Sequence, residues 1–228
     1  MRLVTLPGVF RPISDTWLLA DALDREPLPP GARVLDVCSG SGALAIRAKL
    51  ADRGRHVTAV DVSRRAVATI RLNAALNGTR IRAVRGDLLD AVGTERFDAI
   101  VSNPPYVPAA TDELPTRGRN RAWDAGRDGR ALLDRICAEA PAHLNPGGVL
   151  LVVHSSLLGL DATTTRLRAA GLEPDVAVAQ RGPLGPLMRA RRAAGLIDPN
   201  ADHEDVLVVR GRNPASTRCR SARLNVTM

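Results

Sequence analysis

The chain has 228 residues, a formal net charge of +8 at pH 7, and 45% apolar residues with few aromatics among them. This length fits one domain that can bury a complete sheet between two layers of helices. No apolar run approaches a membrane-spanning length, and the N-terminus lacks the apolar core of a signal peptide, which predicts a cytoplasmic protein. The three cysteines lie far apart, which argues against a disulfide framework or a zinc site.

The positive charge raises the question of nucleic-acid binding. About half of the excess falls after residue 210, where there are four arginines and no acidic residue. The other basic residues are dispersed over several predicted helices, with no dense stripe and no interleaved aromatics. Charge therefore leaves nucleic-acid binding open without indicating a specific site.

Alternating predicted strands and helices in the first half of the chain indicate a doubly wound α/β fold. Residues 1–30 form a predicted N-terminal helical segment that covers a cofactor site, with Ser14 or Asp15 as the N-cap of its helix. The predicted elements are a helix at 17–23, a strand at 33–37, a helix at 43–50, a strand at 57–60, a helix at 64–77, and strands at 81–84 and 97–101.

The second half continues this pattern after a long irregular segment, residues 107–127, which is rich in Pro, Gly and Arg. We interpret that segment as a lid that contacts the substrate. A helix is predicted at 129–144, a turn at 145–148, a strand at 149–154, a helix at 161–170, and strands at 176–180 and 206–209. The whole predicts a Rossmann-like, seven-stranded, mostly parallel sheet over residues 31–210, followed by a basic, disordered tail at 211–228.

Polar residues follow the first three strands where parallel strands end at one edge of the sheet. Asp36 precedes a glycine turn in which Gly40 and Gly42 permit a sharp bend and close approach to a ligand. The next helix then offers free N–H groups. Asp61 is placed to accept hydrogen bonds from ribose hydroxyls, and Asp87 from an adenine amine.

The fourth strand ends in Asn-Pro-Pro-Tyr, residues 103–106. The prolines fix φ and remove two backbone donors, and Pro104 also excludes Asn103 from the α region. The amide oxygen of Asn103 and the carbonyl of Pro104 are thus held rigidly at the ligand-binding edge. Such uncharged acceptors suit the two hydrogens of a planar –NH2 group, although Asn-Pro is also a common turn initiator.

A dinucleotide-binding or non-catalytic domain is a second hypothesis, because residues 40–45 loosely match a dinucleotide fingerprint. Asp36 argues against it, since a carboxylate just before the turn would repel a pyrophosphate. No catalytic His or Tyr–Lys pair follows the fingerprint, and His154 at a strand end is interpreted as structural.

Taken together, residues 36–42, Asp61, Asp87 and residues 103–106 resemble a class I S-adenosylmethionine-dependent methyltransferase. Residues 103–106 are similar to the motif of enzymes that methylate glutamine side chains, adenine N6 or guanine N2. Residues 10–16, 122–129 and 182–186 narrow the resemblance to the HemK/PrmC protein-glutamine methyltransferases, in their HemK2-like branch. The helical N-terminal domain of the enzymes that methylate bacterial release factors is not found here, which leaves that substrate open.

This resemblance implies that S-adenosyl-L-methionine is the cofactor and that no metal is used. Asn103, Pro104 and Tyr106 would be catalytic, with Tyr106 as a wall of the acceptor pocket. The implied partner is a protein with a methylated glutamine, such as a release factor; a nucleic-acid acceptor and an accessory subunit stay open, and no membrane is expected. The implied cofactor-binding residues are Thr16, Asp36, Cys38, Gly40, Gly42, Asp61, Val62, Asp87, Leu88 and Asn103.

Overall fold

A computed structural model describes residues 1–52, 55–116, 118 and 120–215. Its strands are β1 (Arg33–Val37), β2 (His56–Asp61), β3 (Arg82–Arg85), β4 (Phe97–Ser102), β5 (Leu144–Ser155), β6 (Glu173–Pro183) and β7 (His203–Arg212). They form one sheet in the order β3-β2-β1-β4-β5-β7-β6. Strand β7 is antiparallel to both of its neighbours, and the other adjacent pairs are parallel. The predicted doubly wound, mostly parallel sheet is confirmed.

Helices cover both faces of this sheet. They are α1 (Ser14–Asp24), α2 (Ala43–Ala51), α3 (Arg64–Leu76), α4 (Ala131–His143), α5 (Leu160–Ala169) and α6 (Pro186–Ala193). Side chains alternate between the two faces along β1: Val34 belongs to the apolar cluster that contains α1, α2 and α3 residues, and Leu35 to the one that contains α4 and α5 residues. The central strands β1 and β4 are therefore buried on both sides, as their continuous apolar runs predict.

The strand order reverses between β1 and β4, where open α/β sheets bind ligands at their carboxyl edge. Val37 pairs with Ser102 in this part of the sheet, and the Ser102 hydroxyl donates to the Val37 carbonyl at 2.7 Å. The turn after β1 and the Asn-Pro-Pro-Tyr segment after β4 consequently leave the sheet side by side.

Two helices begin at different residues from those predicted. The N-cap of α1 is Ile13 in an extended conformation, so Ser14 and Asp15 both lie inside the helix and neither caps it. Residues 1–30 are helical only over Ser14–Asp24, and the segment before them is held to α3 by hydrogen bonds such as that from the Val4 N–H to Asn73 Oδ1 at 2.8 Å. Helix α4 begins at Ala131 because Gly129 has a φ of +70°, outside the helical region.

The predicted turn at 145–148 is part of β5, which begins at Leu144, where Leu144 pairs with Phe97 of β4. Asn213 borders the same segment on its other side. The Gly147 N–H donates to the Asn213 carbonyl, and the Asn213 N–H donates to the Gly148 carbonyl, both at 2.9 Å. Strand β7 continues to Arg212, two residues past the predicted end of the domain at residue 210. Residues 216–228, on which the predicted disorder falls, lie outside the described part.

The remaining expectations about membrane, metal and cysteine concern the described ranges only. Within them, no helix has the length and apolarity needed to cross a bilayer. The same ranges contain no group of three or more His, Cys, Asp or Glu side chains that could hold a metal ion. Cys38 and Cys137 are free thiols, and Cys219 falls outside these ranges.

Candidate active site

A cleft opens at the carboxyl edge of the sheet, at the crossover between β1 and β4. Its empty space, together with its open mouth, is about 1040 Å³. Segments that are far apart in sequence meet in its wall. The residues of the predicted site that line it are Cys38, Gly40, Asp61, Val62, Asp87, Leu88, Asn103, Pro104 and Tyr106.

Three other residues of the predicted site lie behind the wall. Asp36 is fully buried within β1. Gly42 has a φ of +81° and packs so closely on α3 that a Cβ there would lie 3.2 Å from the Ile70 side chain. Thr16 is 5% exposed and contacts Asn103. These residues support the groups that face the cleft.

Backbone strain is concentrated in this cleft. Cys38 with φ 59° and Leu88 with φ 41° are the non-glycine residues with positive φ in the described part of the chain, and both line the cleft. Strained residues of this kind cluster at functional sites, where the surrounding structure holds them in place. Burial raises the pKa of the Cys38 thiol above its usual range, so the thiol stays neutral and is not a nucleophile.

The Asp61 carboxylate joins the end of β2 to the glycine turn. Its Oδ2 accepts from the Gly40 N–H at 2.9 Å, and its Oδ1 accepts from the Ser63 N–H at 2.8 Å. Burial raises the pKa of Asp61, and the positive charge of Arg121, which also lines the cleft, opposes that rise. A carboxylate has about four acceptor positions, so Asp61 can still accept from hydroxyl groups of a ligand.

Asp36 differs from Asp61 because one of its oxygens lacks a partner. Oδ2 accepts from the Ser39 hydroxyl at 2.5 Å and from the Ala45 N–H at 3.1 Å. Oδ1 is buried with no hydrogen-bond partner in the described structure. Burial raises the pKa of Asp36 to about 7, against the lowering effect of its two donors. A buried carboxylate oxygen without a donor fits a cationic ligand group nearby.

Asp87 follows β3 and is half-exposed at the rim of the cleft. Its Oδ2 lies 3.0 Å from the Arg135 guanidinium of α4. The Asp87 side chain is 54% exposed. Leu88, the next residue, is buried and continues the wall. This end of the cleft thus combines an acidic acceptor with apolar surface, which suits a base ring.

Asn103 is held by the first turn of α1. Its amide nitrogen Nδ2 donates to the Thr16 hydroxyl at 3.2 Å. The two partners are 87 residues apart in sequence, so this contact forms only in the folded chain. With one N–H of the amide directed at Thr16, its oxygen Oδ1 points away from Thr16 and can accept a hydrogen bond from a ligand.

The loop after residue 106, which the sequence predicts to be a lid, folds back onto Val107 beside the cleft. The Val107 N–H donates to the Trp123 carbonyl at 2.7 Å, and the Ala125 N–H donates to the Val107 carbonyl at 3.1 Å. Arg121 and Trp123 line the cleft from this loop. Residues 117 and 119, which belong to its arginine-rich part, lie outside the described residues.

Asp15, Arg121 and Leu187 line the cleft although the sequence did not single them out as site residues. The Tyr106 hydroxyl donates to Asp15 Oδ2. A signal for Asp15 was its place beside Thr16, and a signal for Arg121 was its place in the predicted lid. Leu187 of α6 had none, since only the folded β6–β7 connection brings it to the cleft.

His154 lies outside the cleft wall, as its structural interpretation requires. It is fully buried, and its Nδ1 lies 2.9 Å from the Ser155 carbonyl oxygen. Burial lowers the pKa of His154, so the ring is neutral near pH 7. It has no route to act as a base on a ligand in the cleft.

Comparisons with known proteins identify the family of this chain. The sequence profile of the methyltransferase small domain matches residues 1–117, about half of the chain and all segments of the cleft wall up to the lid. The chain is also 33% identical over 193 residues to a putative protein N5-glutamine methyltransferase of Methanocaldococcus jannaschii, covering 82% of this chain and 93% of that protein.

This chain belongs to the methyltransferase small domain family. It is also 40% identical over 189 residues to the release factor glutamine methyltransferase of Deinococcus radiodurans, covering 78% of this chain and 65% of that enzyme. A solved structure of the E. cuniculi Mtq2–Trm112 complex, responsible for methylation of the translation termination factor eRF1, matches with a TM-score of 0.60 and 26% identity, covering 90% of this chain and 99% of that one. These relatives are consistent with the HemK/PrmC type.

The methyltransferase uses S-adenosylmethionine, which when bound supplies an electrophilic methyl group on a sulfonium centre. The residues of the cleft fit this cofactor. The unpartnered Asp36 Oδ1 suits the ammonium group, directly or through water, and the free acceptor positions of Asp61 suit the ribose hydroxyls. Val62 and Leu88 offer apolar surface, with Asp87 beside them for an exocyclic amine. We predict that Thr16 contacts the carboxylate group of the cofactor.

Cofactor affinity should depend on pH through Asp36. Because burial raises the pKa of Asp36 to about 7, the carboxyl is partly protonated below that pH. A cofactor ammonium favours the ionised form, so the affinity for S-adenosylmethionine should increase as pH rises toward about 7 and then level off. Calorimetry at several pH values checks this, with Asp36→Asn as the variant that should lose the dependence. An unchanged affinity across this range in the wild type would contradict it.

Replacing Gly129 should disturb the acceptor side of the cleft. A Cβ at Gly129 would lie 2.6 Å from the Tyr106 carbonyl oxygen, and the φ of +70° disfavours any side chain. We expect Gly129→Ala to destabilise the protein by about 2–4 kcal/mol and to reduce methyl transfer, measured by denaturant unfolding and turnover. Gly147→Ala is the matched control, because Gly147 has a φ of +78° and a Cβ there would meet nothing within 4 Å. Equal losses in the two variants would exclude the Tyr106 contact as the cause.

Proposed function

We propose that this methyltransferase transfers a methyl group to N5, the side-chain amide nitrogen of a glutamine in a protein substrate. The observation that carries the proposal is the orientation of Asn103. Its own –NH2 is engaged by Thr16, which leaves its amide oxygen to accept a hydrogen bond from a second –NH2 group in the cleft. The names of the relatives support glutamine as the acceptor.

Orientation is the main contribution of these residues to the reaction. An amide nitrogen is a poor nucleophile because its lone pair is delocalised into the carbonyl group. Acceptors that hold both of its hydrogens, the Asn103 amide oxygen and the Pro104 carbonyl, would fix the face of the nitrogen toward the methyl group. This is catalysis by positioning and preorganised electrostatics. The nitrogen exchanges one of its hydrogens for the methyl group, and that proton leaves to water. Neither the neutral thiol of Cys38 nor the buried ring of His154 is placed to take it.

We propose a protein of the translation apparatus as the substrate, with a release factor as the first to test. Curated relatives are named for release factors and for ribosomal protein uL3, and the E. cuniculi neighbour for eRF1. For a substrate of this class we propose the cytoplasm as the place of the reaction. Since the chain spans 65% of the length of the Deinococcus enzyme, the release factor itself is a proposal and not a transfer by name.

A test with purified components separates the parts of this proposal. The protein is incubated with labelled S-adenosylmethionine and a recombinant release factor from its own organism, and with variants whose acceptor glutamine is changed to glutamate or asparagine. We expect label on the glutamine alone, located by mass spectrometry. Transfer to uL3 instead would correct the substrate but keep the acceptor. Transfer only after addition of a Trm112-like protein would show that an accessory subunit is required.

The distribution of charge gives little support to a nucleic-acid acceptor. The basic residues of the described part are dispersed, and many pair with acidic groups, as Arg82 does with Glu95 at 2.6 Å. Label in purified RNA or DNA under the same conditions would overturn the glutamine proposal. A steep loss of such labelling with salt would accompany it, because phosphate contacts release counterions.

A further inference from the structure

Asp15 carries a negative charge into the wall of the cleft at the first turn of α1. It is 6% exposed and lines the cleft beside Tyr106. Its Oδ2 accepts from the Tyr106 hydroxyl, and its Oδ1 accepts from the Ser14 hydroxyl at 3.0 Å. In the described part of the chain, no Arg, Lys or His forms an ion pair with it, so both of its hydrogen bonds come from neutral hydroxyl groups.

The hydrogen bond to Asp15 determines whether the Tyr106 oxygen donates or accepts in the cleft. A phenol has a single proton to donate, and here that proton points to Asp15. The oxygen is then restricted to accepting hydrogen bonds from the cleft. It resembles Asn103 in this respect, since the donor end of that amide is engaged by Thr16. Asp15 and Thr16, adjacent residues of α1, thus each accept a hydrogen bond from one end of the Asn-Pro-Pro-Tyr segment.

We propose that Asp15 is a positioning residue that determines acceptor specificity: it holds the Tyr106 hydroxyl so that the cleft offers acceptors, and no phenol donor, to an incoming –NH2 group. The proposal rests on the glutamine function above. A glutamate carboxylate in the same place has only acceptor atoms. It could form no hydrogen bond with the oxygens of Asn103 and Tyr106, which are acceptors as well. A side chain that donates two hydrogens is favoured.

The protonation state of Tyr106 agrees with this arrangement. Burial raises the pKa of Tyr106 well above its ordinary value, and the charge of Asp15 and its hydrogen bond raise it further. Glu204 of β7 adds a smaller effect of the same sign. Tyr106 therefore keeps its proton, and its hydroxyl stays the donor of the pair.

The first test uses the fact that Tyr106 is the single tyrosine of the chain. Its ionisation can be followed by the ultraviolet absorbance of the phenolate in the intact protein. Asp15→Asn removes the charge and keeps the shape, so the pKa of Tyr106 should fall. The control is Asp21→Asn on the same helix, whose side chain is 54% exposed and pairs with Arg47. An unchanged titration in Asp15→Asn would overturn the proposal, whatever the methyl acceptor is.

The second test measures the consequence for turnover. In Asp15→Asn, the new amide can donate to the Tyr106 oxygen and release the phenol proton toward the cleft. We expect kcat for the glutamine acceptor to fall about 10- to 100-fold, the range of one hydrogen bond to a charged group. The dissociation constant of S-adenosylmethionine and the melting temperature should stay near wild type. Equal weakening of cofactor binding and turnover would overturn the positioning role.

A double variant links the two residues. Tyr106→Phe should lose activity to a similar extent, and Asp15→Asn added to it should cost little more, because both changes remove one interaction. Fully additive losses would show that Asp15 acts without Tyr106 and would overturn the proposal. If the wild type labels no glutamine at all, the proposed function fails, and the tyrosine titration still decides whether Asp15 holds Tyr106.

Discussion

Asn103→Ala should lower the rate of methyl transfer about 10²- to 10³-fold, the usual cost of removing one preorganised hydrogen-bonding group from an active site. The variant loses the amide oxygen that faces the acceptor and the bond to Thr16. Protein stability should change little by comparison, because Asn103 is only partly buried. Initial rates with saturating S-adenosylmethionine measure the effect.

The matched control for this variant is Asn200→Ala, an exposed asparagine in the β6–β7 connection. It should keep wild-type activity. Thermal unfolding of both variants excludes a general loss of structure. Activity of Asn103→Ala within threefold of wild type would remove Asn103 from the mechanism and with it the argument for an –NH2 acceptor.

Asp61→Ala should weaken the binding of S-adenosylmethionine by about 10- to 100-fold, as expected for the loss of hydrogen bonds to a charged group. The carboxylate serves the cofactor in two ways. It has free acceptor positions for the ribose, and it holds the glycine turn through the Gly40 N–H at 2.9 Å. Without it, the Gly40 and Ser63 N–H groups lose their partner and the turn loses its fixed position.

Calorimetric titration with S-adenosylmethionine measures this loss, and Asp90→Ala provides the control, since Asp90 is exposed in the one-turn helix Leu88–Val92. The control should bind normally. An affinity of Asp61→Ala within twofold of wild type would mean that the ribose is held elsewhere. The position of Arg121, whose charge lowers the pKa of Asp61 across the same cleft, would then need an explanation other than cofactor binding.

Local patterns were enough to predict most of the fold. Apolar runs bounded by Gly, Asp and Asn located all seven strands, and the strand–turn–helix pattern at residues 33–50 predicted the cofactor edge. Errors occurred where a distant segment decides the local structure. Strand β5 begins early because Leu144 pairs with Phe97 and Asn213 bonds to Gly147 and Gly148, and no signal near residue 145 reveals these contacts.

The residues of the site also fall into those that the sequence could predict and those that it could not. Residues that follow strands, such as Asp61 and Asn103, were predictable because the carboxyl ends of parallel strands meet at one edge. The Tyr106–Asp15 contact joins residues 91 positions apart, and the charge of Arg121, in an irregular loop, acts on Asp61. Such contacts depend on the path of loops and on the start of α1, which neither periodicity nor motif spacing specifies.

The central claim is that Asn103 presents the amide of a protein glutamine for methylation. It is tested most directly by incubating wild type and Asn103→Ala with labelled S-adenosylmethionine and a lysate of cells that lack this gene. Products are then divided by protease and nuclease treatment. We predict label that protease removes, that maps to a glutamine by mass spectrometry, and that Asn103→Ala fails to produce. Label that nuclease removes, or equal labelling by the two proteins, would contradict the claim.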